Sequence, residues 1–109
     1  MNILIAEDED LVREILSEEI QLIFKEKSEL VTNGEEALEK CLKNKYKLII
    51  LDYKMPKING DKLIDQIRLG GNLNKNTPII LISAYLNSDI SDSAQKRNVR
   101  VIRKPFNFE

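Results

Sequence analysis

The sequence contains no histidine and only one cysteine. The missing histidine excludes His-based general acid–base catalysis, a serine or cysteine triad of the usual kind, and a phosphohistidine carried by this chain. With no imidazole and no second thiol, a zinc site lacks its usual nitrogen and sulfur ligands. The lone Cys41 excludes an intrachain disulfide and suits a reducing cytoplasm. Between Leu38 and Leu42 on a helical apolar stripe, it reads as a small core residue. An excess of charge of one sign is also lacking: 17 Lys and Arg face 18 Asp and Glu. Such a balance leaves no electrostatic footprint for direct nucleic-acid or anionic-membrane binding. Long apolar runs are missing too. No segment approaches the ~20 apolar residues of a membrane span, and Ile3-Leu4-Ile5-Ala6 is too short for a signal peptide and meets four acids. These absences predict a soluble, cytoplasmic protein. At 109 residues with 42% apolar content, residues 1–109 read as one domain able to bury a core.

What is present is a strict alternation of apolar runs and helical patterns. The runs are Ile3–Ala6, Glu29–Thr32, Leu48–Leu51, Pro78–Ile82 and Val99–Arg103. Three are nearly continuous Ile and Leu, as in parallel strands buried on both faces. Leu11, Val12, Ile15, Leu16, Ile20, Ile23 and Phe24 recur at helical spacing, predicting an amphipathic helix. Ala37, Leu38, Cys41 and Leu42 predict a second after the Asn33-Gly34 turn. Leu63, Ile64 and Ile67 predict a third between Asn59-Gly60 and Gly70-Gly71. A fourth, from Ser88 to Arg97, offers only Ile90 and Ala94 for burial and carries three serines, so it is expected to be the most mobile element. The pattern predicts an α/β fold: an open five-stranded parallel sheet with right-handed crossovers and helices on both faces. Four helices leave one face short of a partner, because the chain stops at Phe106-Asn107-Phe108-Glu109, where a fifth helix would begin. The fifth helix is therefore expected to be missing or truncated, with Phe106 and Phe108 partly exposed.

Ligands of open parallel sheets bind outside the carboxyl ends of the strands. Strand one ends in Glu7-Asp8-Glu9-Asp10, strand three in Asp52, strand four in Ser83 and strand five in Lys104-Pro105. The second strand ends in Thr32-Asn33-Gly34, a plain turn. Taken singly, each residue has an ordinary explanation: Glu9 and Asp10 suit the first turn of a helix, Asp52 a cap, Ser83 a strand-end hydroxyl, Lys104 a solvated lysine. Together they do not. Two unit charges ~4 Å apart interact by about 4 kcal/mol at an effective dielectric near 20, so Glu7, Asp8 and Asp52 at one edge call for a cation. Carboxylate, carbonyl and water oxygens suit Mg²⁺. With an opposing lysine and hydroxyl, the set can hold a phosphoryl group, and Asp52, ending the central strand, is the candidate nucleophile.

The stretches ILIAEDE, LIILDYKMPKINGDKLI, PIILISAY and RKPF closely resemble the receiver domain of two-component response regulators, in the family's order and spacing and over nearly the whole chain. The combination D-x-x-M-P-x-x-x-G with a distal K-P-F is far more specific than any single motif. The resemblance implies a flavodoxin-like sheet of order 2-1-3-4-5. It also implies that Asp52 is the phosphoacceptor and that Asp8, Asp52 and the Lys54 backbone carbonyl ligate Mg²⁺. Glu7 would hold a metal-bound water, Ser83 would be the switch hydroxyl, and Lys104 would pair with the phosphoryl group. The Lys104-Pro105 bond is often cis in the family. The implied partners are a histidine kinase or histidine phosphotransfer protein, a downstream output domain or protein, and a second copy in a phosphorylation-dependent homodimer. Because Met1 opens directly into strand one, an effector domain is expected on the C-terminal side.

One departure concerns signal transmission. The family usually carries an aromatic three residues before the lysine, and this chain has Val101. Tyr85 is expected to pack partly over the site entrance. A bulky Tyr85 and a cationic Lys54 beside the phosphate predict slow hydrolysis of the phosphoryl group. Three other readings are weighed against the phospho-switch. A non-phosphorylated pseudo-receiver acting as an interaction module would usually have lost an acid, the acceptor or the lysine. An aspartate-nucleophile phosphatase would place a second acid where Lys54 stands, so the chain is expected not to be an enzyme beyond its own phosphorylation and dephosphorylation. A flavodoxin-like electron carrier would have a hydroxyl-rich loop where Glu7-Asp8-Glu9-Asp10 would repel a flavin phosphate.

Overall fold

The computed structural model describes residues 2–69, 71–84 and 87–104. Strands and helices alternate: β1 (Ile3–Ala6), α1 (Asp10–Phe24), β2 (Glu29–Val31), α2 (Gly34–Lys43), β3 (Leu48–Asp52), α3 (Gly60–Ile67), β4 (Ile79–Ser83), α4 (Ser88–Lys96) and β5 (Val99–Arg103). All strand pairs are parallel, and their order is β2-β1-β3-β4-β5. The predicted α/β fold and strand order are those observed, with strand limits shifted by no more than a residue.

Side-chain alternation along the strands splits the core into two layers. Leu4, Ala6, Ile49, Leu51 and Leu81 face α2, α3 and α4, where Cys41, Leu63, Ile64, Ile67 and Ala94 are buried. Ile3, Ile5, Ile50 and Ile82 face α1 and meet Leu16 and Ile20. Burying each of these large aliphatic side chains contributes about 1.5–3 kcal/mol, so β1 and β3, apolar on both faces, anchor the fold. Cys41 is fully buried, and burial pushes its thiol up to about 12. It is the inert core residue that its position predicted.

The α1 stripe is a partial correction. Only Leu16 and Ile20 are buried on that helix, while Leu11, Ile15, Leu22, Ile23 and Phe24 are exposed, as is Leu42 on α2. The apolar arc of α1 is wider than the strip the sheet covers. On the same face Ile80 and Ile102 are half-buried, and α1 is the one helix among the described residues there. The expected fifth helix, the Lys104-Pro105 bond, Phe106, Phe108 and Tyr85 lie outside the described residues. Within the described residues, no helix is long and apolar enough to cross a membrane.

Among the described residues, three of the four helices begin on an asparagine. Asn33, Asn59 and Asn87 each accept a hydrogen bond from the backbone N–H three residues on, at 2.9, 2.8 and 2.9 Å. Such caps are worth about 1 kcal/mol apiece and set where each helix leaves its loop. The exception is α1, whose N-cap Glu9 makes no side-chain cap bond. That helix starts at the acidic end of the sheet.

Candidate functional site

The carboxyl ends of β1, β3, β4 and β5 lie side by side, so the polar residues that follow them converge. Glu7 continues β1 past its last residue, its N–H donating to the Val31 carbonyl at 3.1 Å. Its side chain is completely buried, whereas its neighbour Asp8 is exposed. Asp52 ends β3 and Ser83 ends β4, and both are buried. Lys104 follows β5, and its N–H donates to the Ser83 carbonyl at 2.8 Å. Strand pairing thus ties the hydroxyl and the ammonium into one unit.

Lys104 Nζ lies 3.0 Å from Glu7 Oε1, 3.3 Å from Asp52 Oδ1 and 3.8 Å from Glu9 Oε1. One ligand oxygen each from Glu7, Asp8 and Asp52 fits within 4.8 Å of the others. Glu7, Asp8 and Asp52 thus gather beside one ammonium that also borders Glu9, and a divalent cation would offset most of the excess negative charge. Burial pushes the Glu7 carboxyl up to about 7, the Asp52 charge adds to this, and the Glu9 N–H and Lys104 oppose it. Burial likewise raises Asp52, against the pull of Lys104. For Lys104, burial alone would favour the neutral amine, but Glu7 and Asp52 outweigh it and hold the ammonium above its ordinary range. Glu7 Oε1 is buried without an aligned hydrogen-bond donor despite its ion pair. A buried carboxylate whose one oxygen meets only the Lys104 ammonium, beside two further acids, suits a hard, oxygen-seeking divalent cation.

The centre opens into a cavity of about 690 Å³ lined by Asp8, Asp52, Tyr53, Lys54, Asn59, Ser83 and Lys104 among others. Its floor is the loop after β3. There Tyr53 N–H donates to the Ile82 carbonyl at 2.8 Å, and Gly60 N–H closes the loop on the Tyr53 carbonyl at 2.7 Å. Met55 is buried in the core and anchors the loop from below. Gly60 is required here: a Cβ on it would fall 2.5 Å from the Asp52 carbonyl oxygen, so a side chain would push the loop off the end of β3. Val101, three residues before Lys104, is half-buried against the α2–α4 layer.

Every site residue singled out in the sequence and lying within the described region comes to this edge. Two others do so that sequence reasoning did not assign. Arg13, one turn into α1, donates from Nη1 to the Glu7 carbonyl at 2.8 Å and pairs with Asp10. Glu9 occupies the helix N-cap as its place in the acidic run suggested, yet its N–H also holds Glu7 Oε2 at 3.1 Å and its carboxylate borders Lys104. The Arg13 contact spans a loop-to-helix turn and had no periodic signature to betray it.

Comparison with known proteins gives a consistent picture. The family model for the response regulator receiver domain matches residues 3–109. The response regulator ArlR of Staphylococcus haemolyticus is 37% identical over 99% of this chain, which covers 48% of ArlR. The chain thus spans about half the length of that curated relative. Among solved structures, the response regulator protein TrrA from Thermotoga maritima, in complex with Mg²⁺ and BeF, is 36% identical with a TM-score of 0.81, covering 98% of this chain and 89% of that one. The Vibrio cholerae chemotaxis protein CheY4 has a TM-score of 0.84 at 25% identity, covering 96% of this chain and 87% of that one.

Proposed function

This chain belongs to the response regulator receiver family, and on that premise we propose that it is a phosphorylation-dependent signalling switch whose acceptor is Asp52. The observation that carries the reading is the convergence of Glu7, Asp8 and Asp52 with Lys104 3.3 Å from the acceptor. The Asp52 carboxylate oxygen forms the new bond to phosphorus while the donor's bond breaks: phosphorus–nitrogen in a phosphohistidine, phosphorus–oxygen in a small acyl phosphate. The leaving imidazole or carboxylate takes the electron pair. Asp8, Asp52 and the Lys54 carbonyl would hold Mg²⁺, with Glu7 reaching it through water, and the ion would supply charge neutralisation. Lys104 pairs with the phosphoryl oxygens and Ser83 donates to them. Because the Lys104 N–H bonds the Ser83 carbonyl, the two groups that meet the phosphoryl oxygens are held on adjoining strand ends.

Phosphorylation adds about one negative charge and several oriented acceptors to an already anionic site. Moving a two-state population from 1:99 to 99:1 needs ~5.5 kcal/mol of differential interaction. Charge-assisted hydrogen bonds from Ser83 and Lys104 supply part of this and a partner's preference the rest. The partners are a histidine kinase or phosphotransfer protein upstream and an output domain or protein downstream, in the cytoplasm, with homodimerisation as one mode of output. Lys54 at the cavity mouth hinders an in-line water, so hydrolysis of phospho-Asp52 is slower than that of a small acyl phosphate.

Incubation with acetyl phosphate and Mg²⁺, read by intact mass beside Asp52→Asn, tests the reading. One metal-dependent phosphoryl addition absent from the variant supports it. No addition to a protein that binds Mg²⁺ replaces it with the pseudo-receiver, an interaction module that is never phosphorylated.

A further inference from the structure

The turn after β2 looks unremarkable in sequence, yet it abuts the loop that carries Lys54. A Cβ built on Gly34 would lie 2.0 Å from the Ile58 carbonyl oxygen, 2.7 Å from Ile58 Cβ and 2.8 Å from Ile58 carbonyl carbon. Two of these are backbone atoms and the third is fixed to the backbone, so no rotamer change makes room. The Gly34 N–H donates to the Pro56 carbonyl at 3.3 Å, and the Ile58 N–H returns to the same carbonyl at 2.9 Å. Between them Lys57 sits in the left-handed region at φ 72°, which non-glycine residues adopt only where their surroundings impose it. The loop is pinned at its ends by Tyr53 and Gly60. Any push at Ile58 is therefore taken up in the middle, by Lys54 to Lys57.

We propose that Gly34 is a positioning residue for the metal centre: the bare backbone of the β2–α2 turn lets the β3–α3 loop lie close enough to place the Lys54 carbonyl at the metal. The inference rests on the Mg²⁺-dependent reading of the site. Mg²⁺ demands near-ideal octahedral geometry, so a displacement approaching an ångström at one ligand is felt in affinity. Gly34 lies in α2 without a left-handed φ, and alanine is the better helix former. Backbone propensity alone would make Gly34→Ala harmless; only the Ile58 contact makes it costly.

The test compares wild type, Gly34→Ala and Glu35→Ala. The last removes the 3.9 Å Lys57–Glu35 ion pair between two exposed side chains without adding bulk. Calorimetric Mg²⁺ titration, metal-free thermal unfolding and backbone amide spectra are recorded for each. The expected result is a Mg²⁺ Kd at least tenfold higher in Gly34→Ala, with amide shifts centred on residues 53–59 before metal is added. Phosphoryl uptake should recover at high Mg²⁺, and Glu35→Ala should match wild type. In wild type, the Gly34 amide should move on Mg²⁺ addition with the same midpoint as those of Asp52 and Lys54. Unchanged Mg²⁺ affinity in folded Gly34→Ala overturns the proposal, as does a wild-type Gly34 amide indifferent to Mg²⁺. Should wild type bind no Mg²⁺, the receiver chemistry falls instead, and unshifted loop amides in Gly34→Ala would overturn the positional claim on their own.

Discussion

The two ends of the sheet handle buried polar groups in opposite ways. At the amino ends of the strands, Asn74 is fully buried and satisfied on both sides. Its Oδ1 accepts from the Tyr46 N–H at 2.8 Å, and its Nδ2 donates to the Cys41 and Asn44 carbonyls at 2.7 and 2.8 Å. Thr77 Oγ1 lies between Asn74 Oδ1 and the Tyr46 carbonyl. Arg68 spreads its guanidinium over the carbonyls of Asn74, Lys75, Thr77, Arg97 and Asn98. At the carboxyl ends, by contrast, Glu7 and Asp52 are buried with raised pKa values and share one ammonium. A chain able to build the first network has no folding reason to build the second. Like charges buried together at one edge, while the Asn74 network at the other is satisfied, mark where a ligand would be accommodated at a cost in stability.

Removing Asn74 should break the contrast from its stable side. Asn74→Ala leaves the Tyr46 N–H and the Cys41 carbonyl buried without their partner and frees the Asn44 carbonyl, a loss of about 3 kcal/mol. Denaturant unfolding should show it, with Mg²⁺ affinity little changed in the folded fraction.

Metal-free stability should fall as pH rises from about 5 to about 7. Glu7 titrates at about 7 in the folded protein against an ordinary 4.5, so the folded state holds the extra proton in that window and loses the advantage above it. The integrated change is on the order of 3 kcal/mol. Saturating Mg²⁺ should flatten the curve, and a metal-free melting temperature independent of pH there would contradict the electrostatics described for Glu7. Glu7→Gln sharpens the same comparison. At pH 8 without metal it should stabilise the fold by about 2 kcal/mol, since a neutral amide relieves the buried charge, and it should weaken Mg²⁺ at least tenfold. The smallest effect belongs to the surface: Lys43→Ala, which removes the exposed Lys43–Glu39 pair at 3.2 Å, should change stability by no more than about 0.5 kcal/mol.

Much of this was legible in the residues. Continuous Ile and Leu marked β1, β3 and β4 because a strand covered on both faces has no polar side to show. Asn33-Gly34 and Asn59-Gly60 marked helix starts because an asparagine oxygen can replace the missing helical acceptor. Asp52, Ser83 and Lys104 could be placed together because parallel strands deliver their carboxyl ends to one edge. The α1 stripe was over-read: periodicity reveals a helix's apolar arc but not how much of it a neighbouring layer covers. Arg13 carried no pattern, since it acts through a backbone carbonyl that every residue possesses.

The sequence by itself determined the order of strands and helices, the α/β class and the kinds of side chain gathered at the sheet edge, because periodicity and residue type are local properties. Only the tertiary structure decided that Glu7 is sealed from water while Asp8 faces it, and that Gly34 meets Ile58. Those facts depend on which distant segments lie opposite one another, and two adjacent acids or two ordinary turns are chemically alike until the fold gives each its neighbours.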